Sequence, residues 1–240
     1  MSDSAQLNHT TDERIKKFSK LRKALIRPEL GGIVGTVAVF TFFLLFAYDS
    51  GMFNSRGVMN WSIVSAQFVI IAVGAGLLMI AGEFDLSVGS MIGFAGMMIA
   101  IFSVTLGWPV WVAIIVTFVM CLGVGALNGF IVIRTGLPSF IVTLAFLFIL
   151  RGLTIFLPQV IVRKTIIGGV KDVAEGDWLA VLFDGKILTG LFSWLGEEGL
   201  IATFERGTRA GQPIVSGVPM LIVWAIVLML FGHFLLTRTQ

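Results

Sequence analysis

The chain alternates long apolar stretches with short polar joins, and that pattern leaves few folds open to it. A helix needs about 20 mainly apolar residues to cross the hydrocarbon of a bilayer. Six stretches approach that length. They run from about Leu30 to Tyr48, Asn60 to Ala81, Val88 to Leu106, Pro109 to Ile133, Pro138 to Leu157 and Val218 to Leu236. Only 13% of the residues are charged, against about 25% in a soluble domain. Backbone polar groups in lipid must be satisfied internally, which leaves helices or closed barrels. Runs of this length select helices, so the expected fold class is all-α, a polytopic membrane helix bundle.

Local signals mark the boundaries. Gly107, Trp108 and Pro109 form a tight turn between the third and fourth stretches, with Pro where a helix begins. Arg134, Thr135 and Gly136 close the fourth, and Pro138 opens the fifth. Tyr48, Trp61, Trp108 and Trp111 fall near predicted helix ends, where aromatic rings favour the membrane–water interface.

Charge sets the expected orientation. Seven of the 17 basic residues precede the first apolar stretch, namely Arg14, Lys16, Lys17, Lys20, Arg22, Lys23 and Arg27. Such a cluster is retained in the cytoplasm, so residues 1–29 are expected to be a cytoplasmic tail. No nucleic-acid partner is expected from it. The polar head is too long for the leading region of a secretory signal. Residues 30–157 then form the first five spans. Residues 158–217 form a periplasmic insertion with short amphipathic patches, Trp178 to Phe183 and Ile187 to Leu195, that suit interfacial helices lying on lipid. Residues 218–240 supply the sixth span and a short cytoplasmic end.

Enzyme chemistry finds no footing. The Gly185-Lys186 pair has no glycine five residues ahead of it and no following Ser or Thr, so a phosphate-binding Walker loop is not formed. His9, His233 and Cys121 cannot supply an ordinary zinc site. No catalytic residue, metal or cofactor is therefore expected, and Cys121 reads as a small core residue. Asn60-Trp61-Ser62 matches a glycosylation pattern by chance at a membrane surface.

The segment Gly82-Glu83-Phe84-Asp85-Leu86-Ser87-Val88-Gly89-Ser90 carries the most information, because two long apolar stretches meet there across two carboxylates. Carboxylates are costly in lipid. Asp85 or Ser87 can cap the N-terminus of the third helix. Equally, a broken helix can expose its backbone along a polar path. Arg151 falls about 13 residues into the fifth stretch, near mid-membrane at a rise of about 1.5 Å per residue. It is expected to pair with a carboxylate or helix-end carbonyls, with substrate contact as the other reading. Asn128 is expected to bond between helices. Gly89 with Gly93, and Gly125 with Gly129, are spaced for close helix packing.

These residues resemble a known family. Phe84-Asp85-Leu86-Ser87-Val88-Gly89-Ser90 is similar to a signature of bacterial ATP-binding-cassette importer permeases for ribose, xylose, galactose and related monosaccharides. Gly125-Ala126-Leu127-Asn128-Gly129, Pro138-Ser139-Phe140-Ile141-Val142-Thr143-Leu144 and Leu150-Arg151-Gly152 match further motifs of that family, in its order. The resemblance implies a multi-pass inner-membrane subunit that forms a dimeric pore. It implies a periplasmic sugar-binding protein at the outer face, a separate ATP-binding subunit in the cytoplasm and surrounding lipid as partners. It places Asp85, Ser87, Asn128 and Arg151 as candidates for the translocation path or gate. Two departures stand out, Glu83 in place of a small residue and a long 158–217 insertion. The family carries about ten spans with a coupling segment after the sixth. The chain is accordingly expected to be C-terminally incomplete, or to have its other half encoded separately, and not to transport alone. An ion-coupled transporter with Asp85, Glu83 and Arg151 as a relay is the alternative from another class, and a non-transporting scaffold is a third.

Overall fold

A computed structural model of the chain describes residues 28–205, 208 and 210–238. The basic tail from Arg14 to Arg27 and the pair Arg206 and Arg209 lie outside the described residues. The chain divides into two units at Asn54.

The first unit is one apolar helix, α1 (Pro28–Phe46), followed by a single tight turn at Tyr48–Ser50. Thr36 spends its hydroxyl on the carbonyl of Gly32, 2.8 Å away, as a polar group in apolar surroundings must. Gly51 closes the turn with φ +79°, a conformation that favours glycine.

The second unit holds the helices that position the site. They are α2 (Ser55–Ile80), α3 (Val88–Ala100), α4 (Val110–Thr135), α5 (Ser139–Val162), α6 (Val170–Ala174), α7 (Trp178–Asp184), α8 (Thr189–Glu197) and α9 (Met220–Arg238). A five-residue π turn, Ile101–Thr105, continues α3. Two residue pairs, Lys186–Ile187 (β1) and Val218–Pro219 (β2), form an antiparallel ribbon. Among the described residues, five helices are long and apolar enough to cross a membrane: α2, α3 with its π turn, α4, α5 and α9. The expected first span is shorter, with its apolar part confined to Leu30–Phe46.

The all-α expectation holds, with shifted edges. The second span begins at Ser55 rather than near Asn60, because Ser55-Arg56-Gly57 is polar yet helical. The fifth runs past Leu157 to Val162 with Pro158 buried inside it. Pro109 and Pro138 each stand one residue before a helix, at φ −53° and −55°. Proline needs no N–H there, where no intrahelical partner exists. Of the two amphipathic patches of the insertion, Trp178–Phe183 lies in α7, whereas Ile187–Leu195 begins in β1 and continues as α8.

The core gathers around α3. Phe94, Met98 and Ile101 bury against Leu150 of α5, with Met120 and Val124 of α4 at their edge. Within its spanning window α3 is 28% buried, against 6% for α2, so α3 is the central helix and α2 a peripheral one. Most other large apolar side chains face outward, which only a lipid solvent makes inexpensive. α2 packs against α9 instead, where Gly232 leaves room for Val73; a Cβ there would sit 2.9 Å from a Val73 methyl.

Asp177 ties the two groups of helices. Its Oδ1 accepts from the N–H groups of Leu179 (3.0 Å) and Ala180 (3.1 Å), capping α7. Its Oδ2 accepts from the N–H of Trp111 in the first turn of α4, at 3.0 Å. One carboxylate thus meets the positive ends of two helices. From the other side of α7, Leu182 accepts a bond from the Trp224 indole of α9 at 2.9 Å, and Phe183 stacks on that ring.

Candidate functional site

The connection from α2 to α3 contains the densest set of long-range polar contacts in the second unit. α2 ends at Ile80, and Gly82 at φ +83° turns the chain. Residues 83–86 then run without helical structure to Ser87, the residue before α3. Non-helical backbone within an apolar bundle leaves N–H and C=O groups that something must satisfy.

α5 supplies the partners. Ser139 and Thr143 lie four residues apart, on one face of its first two turns. Ser139 Oγ accepts the N–H of Phe84 at 3.0 Å, and Thr143 Oγ1 accepts the N–H of Leu86 at 3.2 Å. The Thr143 hydroxyl lies 3.3 Å from the carbonyl of Phe84 and 2.9 Å from that of Ser139, either of which can accept its proton. Two side chains therefore stitch three backbone groups of the irregular segment to α5. Thr143 is buried, at 4% exposure.

The segment also braces itself. Asp85 Oδ1 accepts the N–H of Ser87 at 2.7 Å and its hydroxyl at 2.6 Å. Neither Asp85 nor Ser87 caps the first turn of α3 by its side chain, which corrects the capping expectation. The carboxylate instead locks the residue before the helix, still beside the helix's positive end. Ser87 is fully buried. Its oxygen lies 3.5 Å from Asn128 Nδ2 of α4, so Asn128 does reach across helices, at the long limit of a hydrogen bond. Asn128 is 6% exposed, and its Oδ1 has no hydrogen-bond partner in the structure. Leaving a buried acceptor unpaired costs about 1–3 kcal/mol. Asp85, Ser87, Asn128, Ser139 and Thr143 thus form one connected polar junction between α3, α4 and α5.

Other expected site residues stand apart. Arg151 is exposed on α5 and makes no ion pair among the described residues, so neither a carboxylate nor a helix-end carbonyl anchors it. Among the packing glycines only Gly93 meets another helix, with Thr154 Cγ2 3.7 Å from where its Cβ would be. Gly89, Gly125, Gly129 and Gly152 face open space within this chain. Pro138 ends the α4–α5 join, and Phe84 and Leu86 point outward. Thr143 is a junction residue outside the expected site set. Its signal was a second hydroxyl at i+4 from Ser139 in an otherwise apolar helix.

Comparison with known proteins gives concordant matches. The family described as "Branched-chain amino acid transport system / permease component" matches residues 57–240. The chain is 43% identical over 123 residues to the xylose transport system permease protein XylH of Escherichia coli strain K12, covering 51% of this chain and 31% of that protein. It is 33% identical over 161 residues to the Haemophilus influenzae protein of the same name, covering 66% of this chain and 43% of that protein. The fructose import permease protein FruF of Bifidobacterium longum is 36% identical over 89 residues, 37% of this chain and 25% of that protein. The chain thus spans less than half the length of these curated relatives. No solved structure matches.

Proposed function

The chain belongs to the permease components of branched-chain amino acid-type transport systems, and on that premise we propose that it is a membrane subunit of an ATP-binding-cassette importer for a monosaccharide. It is a multi-pass inner-membrane protein. The observation that carries the proposal is the family match over residues 57–240, which contain the polar junction, together with the similarity to xylose and fructose permeases.

In this reading the junction works as a gate element. Its extended segment is held by hydroxyls rather than by a continuous helix, so α3 can shift against α5 by exchanging two or three hydrogen bonds. Each such bond contributes about 1 kcal/mol net, which suits a two-state element driven from outside. Asn128 Oδ1 is an unused acceptor at the centre, and rearrangement of Ser87 or Asp85 gives it a donor. The N-terminus faces the cytoplasm and the 158–217 insertion, beyond the end of α5, the periplasm, a reading supported by the basic residues ahead of α1. A separate ATP-binding subunit, a periplasmic sugar-binding protein and a second permease copy complete the assembly.

An ion-coupled mechanism would use Glu83, Asp85 and Arg151 as a relay. Arg151 makes no ion pair with either carboxylate, which favours the ATP-driven reading. The test is uptake of labelled xylose by vesicles holding the permease with its ATP-binding and sugar-binding partners. Uptake that needs internal ATP and survives an uncoupler is expected. Uptake that collapses with the uncoupler while ATP is held constant overturns the proposal.

A further inference from the structure

A second polar feature lies at the other end of α2, away from the junction. A cavity of ≈ 210 Å³ opens between the first turns of α2 and the residues that lead into β2. Arg56 and Asn60 line it from α2; Lys186 lines it from β1 and Ser216 from the strand approach. Arg56 and Asn60 are four apart and so share a helix face. The remaining walls are apolar, with Met59, Ile63, Ile214 and Val215 among them.

Two cations thus border one small cavity with no acidic residue in its lining. Neither is neutralised among the described residues. The Arg56 guanidinium lies 5.5 Å from the centre of the Phe204 ring, and Lys186 Nζ donates to Ser216 Oγ at 2.8 Å. Both contacts fix a cation's position while leaving its charge uncompensated. Backbone pairing fixes the Lys186 position too, since Lys186 stands opposite Pro219 in the ribbon. Like charges brought beside one cavity repel unless an anion lies between them. The cavity opens at the end of a helix long enough to span a membrane, which is the level at which the phosphates of lipid headgroups lie.

We infer that this cavity binds a phosphate group, held by Arg56 and Lys186 with Asn60 and Ser216 as polar partners. A phospholipid headgroup and free inorganic phosphate share that chemistry. The lipid source accounts for the apolar wall as well, because acyl chains would run down beside Met59 and Ile63.

The experiment uses the full chain in nanodiscs of phosphatidylcholine, with or without phosphatidylglycerol, and counts the phosphatidylglycerol kept after detergent extraction by mass spectrometry. A parallel arm titrates inorganic phosphate against delipidated protein and reads thermal unfolding. Retention of phosphatidylglycerol over phosphatidylcholine is expected, falling about fivefold in Arg56→Gln or Lys186→Gln and about twenty-five-fold in the double variant. Arg56→Lys keeps the charge and retains the lipid, which separates loss of binding from loss of fold. Lys171→Gln on α6 serves as the control and leaves retention unchanged. Stabilisation by inorganic phosphate with the same variant dependence, and no lipid preference, assigns the site to the free anion. Equal retention by wild type and the double variant overturns the inference. So does binding of a polyglutamate peptide with neither phosphate nor phosphatidylglycerol bound, since the site would then dock an acidic protein segment.

Discussion

The two ends of α3 are built on opposite principles. At its start, the chain arrives extended and is held by hydroxyls from α5, across sequence separations of 55 to 59 residues. At its finish, the hydrogen bonds are local. The π turn returns Leu106 to the Ile101 carbonyl at 2.9 Å and Trp108 to that of Phe102 at 3.0 Å. Trp108 stacks on the Phe102 ring at 4.8 Å, and Gly107 takes φ +69° so that Pro109 can start α4 at once. The hydrogen bonds of the finish join near neighbours in sequence, whereas those of the start depend on where another helix stands. Movement of α5 therefore breaks hydrogen bonds at the start of α3, while at its end it meets only apolar packing, where Ile101 lies against Leu150. That asymmetry is what a coupled gate requires of a central helix.

Removing the hub of the distant end should have the largest effect. Thr143→Val keeps the side-chain shape but leaves the Leu86 N–H unpaired and the Phe84 carbonyl without this donor. A loss of about 1–3 kcal/mol in thermal unfolding of the detergent-solubilised chain is expected, with uptake abolished in the assay of the proposed function. Unchanged stability would mean the stitching does not bind α3 to α5.

Asp85→Ala comes next, because it frees both the N–H and the hydroxyl of Ser87. Weakened co-purification of the ATP-binding subunit is expected to exceed any change in sugar affinity, with Asp85→Asn retaining most assembly through its remaining oxygen. Normal assembly with transport lost would reverse that order and assign the carboxylate to the gate alone.

At the local end the effects shrink. Gly107→Ala forces a side chain into left-handed backbone, at about 1 kcal/mol, and should lower the unfolding temperature without altering uptake. Trp108→Leu forfeits a ring stack worth about 0.5–1.5 kcal/mol and should be the mildest in uptake assays. Uptake loss on Trp108→Leu equal to that of Thr143→Val would erase the distinction between the ends.

Hydrophobic run length made most of the bundle legible, since lipid demands apolar side chains wherever a helix meets it. The polar bend at Glu83–Asp85 was equally visible, because carboxylates between two such runs are costly in lipid whether they cap a helix or line a polar path. The partners of that bend were not. Ser139 and Thr143 could be read as members of a motif, yet nothing local states that their oxygens serve backbone more than 50 residues earlier. The ribbon between Lys186 and Pro219 escaped for the same reason, being two residues long on each side. Arg151 misled in the other direction. Depth in a helix was legible, but the rotational position that leaves it exposed was not.

The shared cap at Asp177 has a mechanical corollary. Because one side chain closes both α7 and the first turn of α4, the loop region cannot lift from the bundle without exposing N–H groups on both sides of the break. A protein that pushes or pulls on that segment thereby holds a handle on α4, and through Asn128 on the buried serine ahead of α3. A load applied at one surface has a continuous bonded route to the bend near the other.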